Sequence, residues 1–172
     1  MLVEGRSICL TIFALPVGIN SRKAMSRHLI VRFARMNDNM SATWVQRLYP
    51  VIEFWEGETI ELKEGVSLHR CGGHFEGSTV LLWPDGADGK GVLLTGDTMY
   101  VAPDRKHVSF MYSYPNFIPL SASTVDSIFE KVMPLKFDRI YGHFFGLEIE
   151  ADAKAVIRQS AERYKKAIGV AG

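Results

Sequence analysis

The chain has 172 residues, a length for one domain with a core of its own. Apolar residues make up 47% and charged residues 23%, and 20 basic against 19 acidic side chains leave a net charge of +1. That balance excludes a strongly basic nucleic-acid binder and an acidic tail protein. Cys9 and Cys71 are the two cysteines and read as reduced thiols, so a cytoplasmic setting is expected. No apolar run reaches the roughly 18 residues that would read as a membrane span.

Residues 1–40 form an atypical basic segment, set apart from a domain over 41–172. Arg6, Arg22, Lys23, Arg27, Arg32 and Arg35 face only Glu4 and Asp38 there, a net of +4 against −3 for the remainder. The apolar run from Ile8 to Ile19 resembles the core of a signal peptide, but Pro16 interrupts it, Glu4 precedes it and no small-x-small cleavage site follows.

From about residue 50 the pattern becomes regular. Ile60 and Leu62, then Val66 and Leu68, alternate with polar neighbours around Glu64-Gly65, which predicts a hairpin with one buried face. Thr79 to Trp83 predicts a short buried strand stopped by Pro84, and residues 85–91 a solvated loop. Val92 to Leu94 predicts a further buried strand. A long connection with Pro103, Pro115 and Pro119 follows, aromatic enough to be packed. Ser123 and Asp126 give a helix-start signature, Pro134 ends that helix, and Phe137 to Tyr141 predicts another strand. A last helix is expected from about Asp152, with Val156, Ile157, Ala161, Tyr164 and Ile168 on one face and Gly169 at its end. Strands early and strand–helix alternation late point to a layered α/β architecture.

Three of these strands run into loops that pair glycine with a metal-capable side chain. The loops are Cys71-Gly72-Gly73-His74-Phe75-Glu76-Gly77-Ser78, Thr95-Gly96-Asp97-Thr98 and Tyr141-Gly142-His143-Phe144-Phe145-Gly146. Small residues let backbone crowd a site. Two imidazoles and a carboxylate suit a borderline divalent ion such as zinc, and also manganese or iron. Each loop alone reads as an ordinary turn or surface histidine; the repeated arrangement carries the signal.

As a set, these motifs resemble the metallo-β-lactamase superfamily over about residues 50–172. Their order matches, as do the separations of 23 and 46 residues between His74, Asp97 and His143. The resemblance implies an αββα sandwich, here a partial one represented mainly by its C-terminal half. It implies that His74, Asp97 and His143 are metal ligands and that a metal-bound hydroxide hydrolyses an ester, thioester or amide-like bond of a small-molecule substrate. The superfamily's His-x-His-x-Asp-His cluster is missing: the five histidines are His28, His69, His74, His107 and His143, and no two are separated by a single residue. One metal ion at most is therefore expected, where relatives hold one or two. The competing reading is a truncated remnant or interaction module without a working metal centre.

A half-sandwich would leave one sheet face bare, which the basic leader or a second copy of the chain could cover. No nucleic acid or membrane partner is expected. His69 and His107 read as solvent-facing, Cys71 as a buried structural thiol, and His28 as a remote alternative ligand. Phe75, Phe144, Phe145, Tyr141, Trp83, Tyr112 and Tyr114 could line an apolar pocket. Plain packing is expected for most of them, with Phe144 and Phe145 the best pocket candidates.

Overall fold

The computed structural model describes residues 32–35, 52–55, 57–63, 65–114 and 116–169. The chain divides into two units, residues 1–56 and 57–172. In the first, β1 (Arg32–Arg35) pairs in parallel with β2 (Ile52–Trp55). The expected boundary at residue 40, the apolar run at Ile8–Ile19, Cys9 and His28 all lie outside the described residues.

The second unit is built on a six-stranded sheet. Its members are β3 (Thr59–Lys63), β4 (Val66–Arg70), β5 (Thr79–Trp83), β6 (Val92–Gly96), β9 (Arg139–Gly142) and β10 (Glu148–Ile149), in the order β10-β9-β6-β5-β4-β3. Neighbours are antiparallel except β6 and β9. A parallel pair needs a long crossover. Here it contains the small hairpin of β7 (Tyr100–Val101) and β8 (Val108–Ser109), then helix α1 (Ala122–Val132). Helix α2 (Ala153–Ala167) follows β10.

Register gives the sheet two distinct faces, because successive strand residues point to opposite sides. One row runs Leu82–Leu93–Ile140–Ile149 across β5, β6, β9 and β10. It packs in one apolar cluster with Val125, Ile128 and Val132 of α1 and Ala153, Ile157 and Ala161 of α2. Both helices therefore cover the same face. The opposite row, Ile60–Leu68–Leu81–Leu94–Tyr141, lies outside that cluster. Leu68, Leu81 and Leu94 on this row are buried.

The sequence locates the β3–β4 hairpin, β5, β6 and both helices. It misses β7, β8 and β10, each two residues long and too short to show a period. The first helix starts two residues before the expected Ser123. Ser121 is the cap, with extended φ and ψ of −69° and 155° and a side-chain oxygen accepting from the Thr124 N–H. Ser121 takes this role because the preceding Leu120 is buried and its N–H donates to the Tyr164 hydroxyl at 2.7 Å, which fixes the chain's entry. The last helix starts where expected, but Asp152 makes no side-chain cap. Asp138 holds this turn instead: its Oδ1 accepts from the Asp152 N–H at 2.9 Å and its carbonyl from the Ala153 N–H at 3.1 Å.

Candidate functional site

The loops that follow β4, β6 and β9 bring His74, Asp97 and His143 together. Each loop has its own local device. After β4 the chain turns back through Cys71 and Gly72, whose N–H groups both donate to the Ser78 carbonyl. Gly73 has a φ of +93°, and a Cβ there would lie 2.7 Å from Ile128 Cδ1 of α1. Only glycine meets both demands without strain, and this close approach seats the next residue, His74, against the helix layer.

His74 Nδ1 lies 2.9 Å from the carbonyl oxygen of Met111. A carbonyl only accepts, so Nδ1 carries a proton and Nε2 is the nitrogen left to face the site. That nitrogen lies 3.9 Å from Asp97 Oδ2. On the carboxylate's other side, His143 Nδ1 lies 3.1 Å from Asp97 Oδ1. The His143 ring stands edge-on to Phe144 at 4.9 Å, and Phe144 in turn packs edge-on against Tyr100 at 5.4 Å. Exposure rises across the site: the His74 side chain is 9% exposed, Asp97 24% and His143 42%.

Three buried hydroxyls hold the Asp97 turn. Thr95 Oγ1 donates to the Met99 carbonyl at 2.7 Å and reaches the Tyr141 carbonyl of β9 at 3.4 Å. Thr98 Oγ1 donates to the Thr79 carbonyl at 3.4 Å and so accepts from Ser78 Oγ at 2.8 Å, since a hydroxyl has one proton. The turn bearing Asp97 is thus tied to the His74 loop on one side and to the strand before His143 on the other.

Sequence reasoning misses three parts of this arrangement. The Met111 carbonyl orients His74 from 37 residues away and carries no side-chain signal. The Ser78–Thr98 bond joins residues of two quoted motifs but needs the fold to bring them together. Tyr100, three residues after Asp97, is the third. Burial above all, then the Tyr114 phenol and the Asp97 carboxylate nearby, hold its hydroxyl pKa above the usual value.

The remaining histidines lie apart from this group. His107 Nδ1 lies 2.6 Å from Asp104 Oδ2 at the β7–β8 tip. His69 points away from Leu68 as alternation requires, but it is half-buried beside Ser67 Oγ at 2.9 Å, and desolvation lowers its pKa. Cys71 is a free thiol in the helix-side core, pushed up by burial to about 12, so the structural reading holds. The expected packing role fails for Phe75, Tyr112 and Tyr114, which are exposed, as are the two pocket candidates Phe144 and Phe145. They sit on connections longer or sharper than strand alternation can describe, so apolar character alone does not bury them.

The donor set suits a divalent ion in kind: two imidazoles and one carboxylate, with His74 oriented by a backbone carbonyl as metal-bound imidazoles commonly are. It falls short in convergence. Both imidazoles meet Asp97, yet among the described residues no group of three or more His, Cys, Asp or Glu side chains is arranged to hold a metal ion.

The chain is 52% identical over 125 residues to an uncharacterised protein of Bacillus subtilis strain 168, YmaE. The match covers 73% of this chain and 45% of YmaE, so the chain spans less than half the length of that relative. No protein-family model matches. Among solved structures, the chain is similar to a B3 metallo-β-lactamase with an active-site glutamic acid, at 16% identity and a TM-score of 0.44, over 80% of this chain and 58% of the other. It is also similar to a metallo-β-lactamase family protein of Thermus thermophilus, at 24% identity and a TM-score of 0.38, over 77% and 40% of the respective chains. The described fold is mixed α and β, a multi-stranded sheet with two helices. Among the described residues no helix is long and apolar enough to cross a membrane.

Proposed function

We propose that residues 57–172 form the C-terminal half of a metallo-β-lactamase-type hydrolase, with His74, Asp97 and His143 as the donors for one divalent ion, zinc by preference. The observation that carries this reading is the meeting of His74 and His143 on opposite oxygens of one carboxylate. Held by these residues, such an ion would supply Lewis-acid chemistry toward water and the carbonyl of an ester, thioester or amide-like substrate.

The chain's own residues have the following parts. His74 offers Nε2 because the Met111 carbonyl holds the proton on Nδ1. Asp97 supplies the negative charge that offsets a cation, on a turn kept rigid by Thr95, Thr98 and Ser78. His143, the most exposed of the three, stands where solvent and substrate arrive. Site geometry held by buried hydrogen bonds keeps its donors in place without further cost on binding.

The second reading is a non-catalytic remnant, favoured by the lack of a converged three-donor group among the described residues. Elemental analysis after incubation with zinc and gel filtration separates the two. About one zinc ion per chain, lost in Asp97→Ala, is expected for the hydrolase. Trace zinc in both proteins establishes the remnant.

A further inference from the structure

Every exposed large apolar side chain among the described residues lies on a loop that carries or contacts the His74–Asp97–His143 group. Phe75 follows His74. Phe144 and Phe145 follow His143, and Phe145 is fully exposed. The other four lie between Tyr112 and Ile118, the segment just after the Met111 carbonyl that binds His74. None lies on α1, α2, the β7–β8 tip or the 84–91 loop. Single exposed apolar residues are ordinary, but their gathering at one place marks a binding surface.

Ring contacts make this surface continuous with the site. Phe144 packs against both His143 and Tyr100. On the other side the Met111 carbonyl on His74 leads directly into the segment where Tyr114 packs edge-on against Phe117 at 5.3 Å. The charge pattern is equally one-sided. Residues 110–121 contain no charged side chain, residues 143–147 none besides the histidine, and residues 71–78 only Glu76. No lysine or arginine on these loops could receive a phosphate, sulfate or carboxylate.

The geometry points to a substrate whose part beside the reacting bond is an uncharged aromatic or aliphatic group, seated on the rim formed by Phe75, Tyr114, Phe117, Phe144 and Phe145. This deepens the hydrolase reading and rests on it for the reaction; the apolar recognition stands on the rim alone. An anionic lipid surface does not fit, because no cation on the rim would meet its headgroups. A small neutral molecule does fit, because a group held on Phe144 lies next to the ring of His143 and so beside Asp97.

The test uses the full chain freed of metal with EDTA, so that binding is read apart from hydrolysis. Saturation-transfer NMR is recorded with phenylacetamide as the neutral probe and phenyl phosphate as the anionic one of similar size. Phenylacetamide is expected to bind and phenyl phosphate to give no signal. The double variant Phe117→Ser, Phe145→Ser is expected to weaken phenylacetamide by about tenfold, with circular dichroism unchanged because both side chains are exposed. Tyr114→Ser provides an independent single variant with the same direction of effect. Asp97→Ala is expected to keep phenylacetamide binding, so a failed metal assay with intact probe binding removes the hydrolase and leaves the rim. Equal binding of both probes, unchanged affinity in the rim variants, or no phenylacetamide binding overturns the inference. So does a rim variant that only converts a dimer to a monomer in sedimentation, which would make the rim an interface between two copies.

Discussion

Beneath α1 and α2, Val80, Leu82, Leu93 and Ile140 are 8% exposed or less. In the loops that join the ends of these strands, Phe75, Phe144 and Phe145 are 40% exposed or more. Both regions are rich in large apolar side chains, and both are assembled by the same sheet. They differ in how the chain holds them. Under the helices, side chains are fixed mainly by each other's volume, with a few side-chain bonds such as Tyr164 to Leu120 at the edge. At the strand ends, backbone and hydroxyl bonds do the fixing: the Met111 carbonyl on His74, and Thr98 on Ser78. That second kind of order leaves the aromatic rings free of packing duty and able to meet a ligand.

Substitutions test the contrast. Leu93→Ala, in the helix-covered row, is expected to cost about 2–5 kcal/mol of unfolding free energy, read from urea denaturation, because the cavity has rigid walls. A cost near zero would mean that the core is loosely packed and the contrast is false. Thr98→Val keeps the shape and removes one hydroxyl from the buried pair. A loss of about 1–2 kcal/mol is expected, since Ser78 Oγ and the Thr79 carbonyl each lose a partner away from water. If the metal reading is right, the same variant also retains less zinc than the wild type while its far-ultraviolet circular dichroism is unchanged. Phe145→Ala is the smallest effect, within about 0.5 kcal/mol of wild type in the same denaturation experiment, despite the loss of a whole ring. A drop comparable to that of Leu93→Ala would show that this ring is part of the core.

Legibility from sequence follows the same division. The β3–β4 hairpin and the apolar face of the last helix are readable because burial on one side imposes a period of 2.0 or 3.6 residues, and β5 and β6, buried on both faces, are readable as short apolar runs. The two-residue strands β7, β8 and β10 carry no period, and they form through pairing that only the finished fold supplies. The helix cap shows the same limit: several hydroxyls cluster near that start, and the docking of Leu120 on Tyr164 selects Ser121.

For the site, the residue types and their order along the chain are sequence properties. His74, Asp97 and His143 stand out because each follows a glycine at the end of an apolar strand, which is the pattern local chemistry can write. Their common meeting point, the protonated nitrogen of His74 and the exposure of the surrounding rings are tertiary properties. They depend on the parallel pairing of β6 with β9 and on the Met111 carbonyl, contacts between residues dozens of positions apart. Local sequence fixes torsions and periodicity; it carries no distance between segments, and burial is decided by those distances.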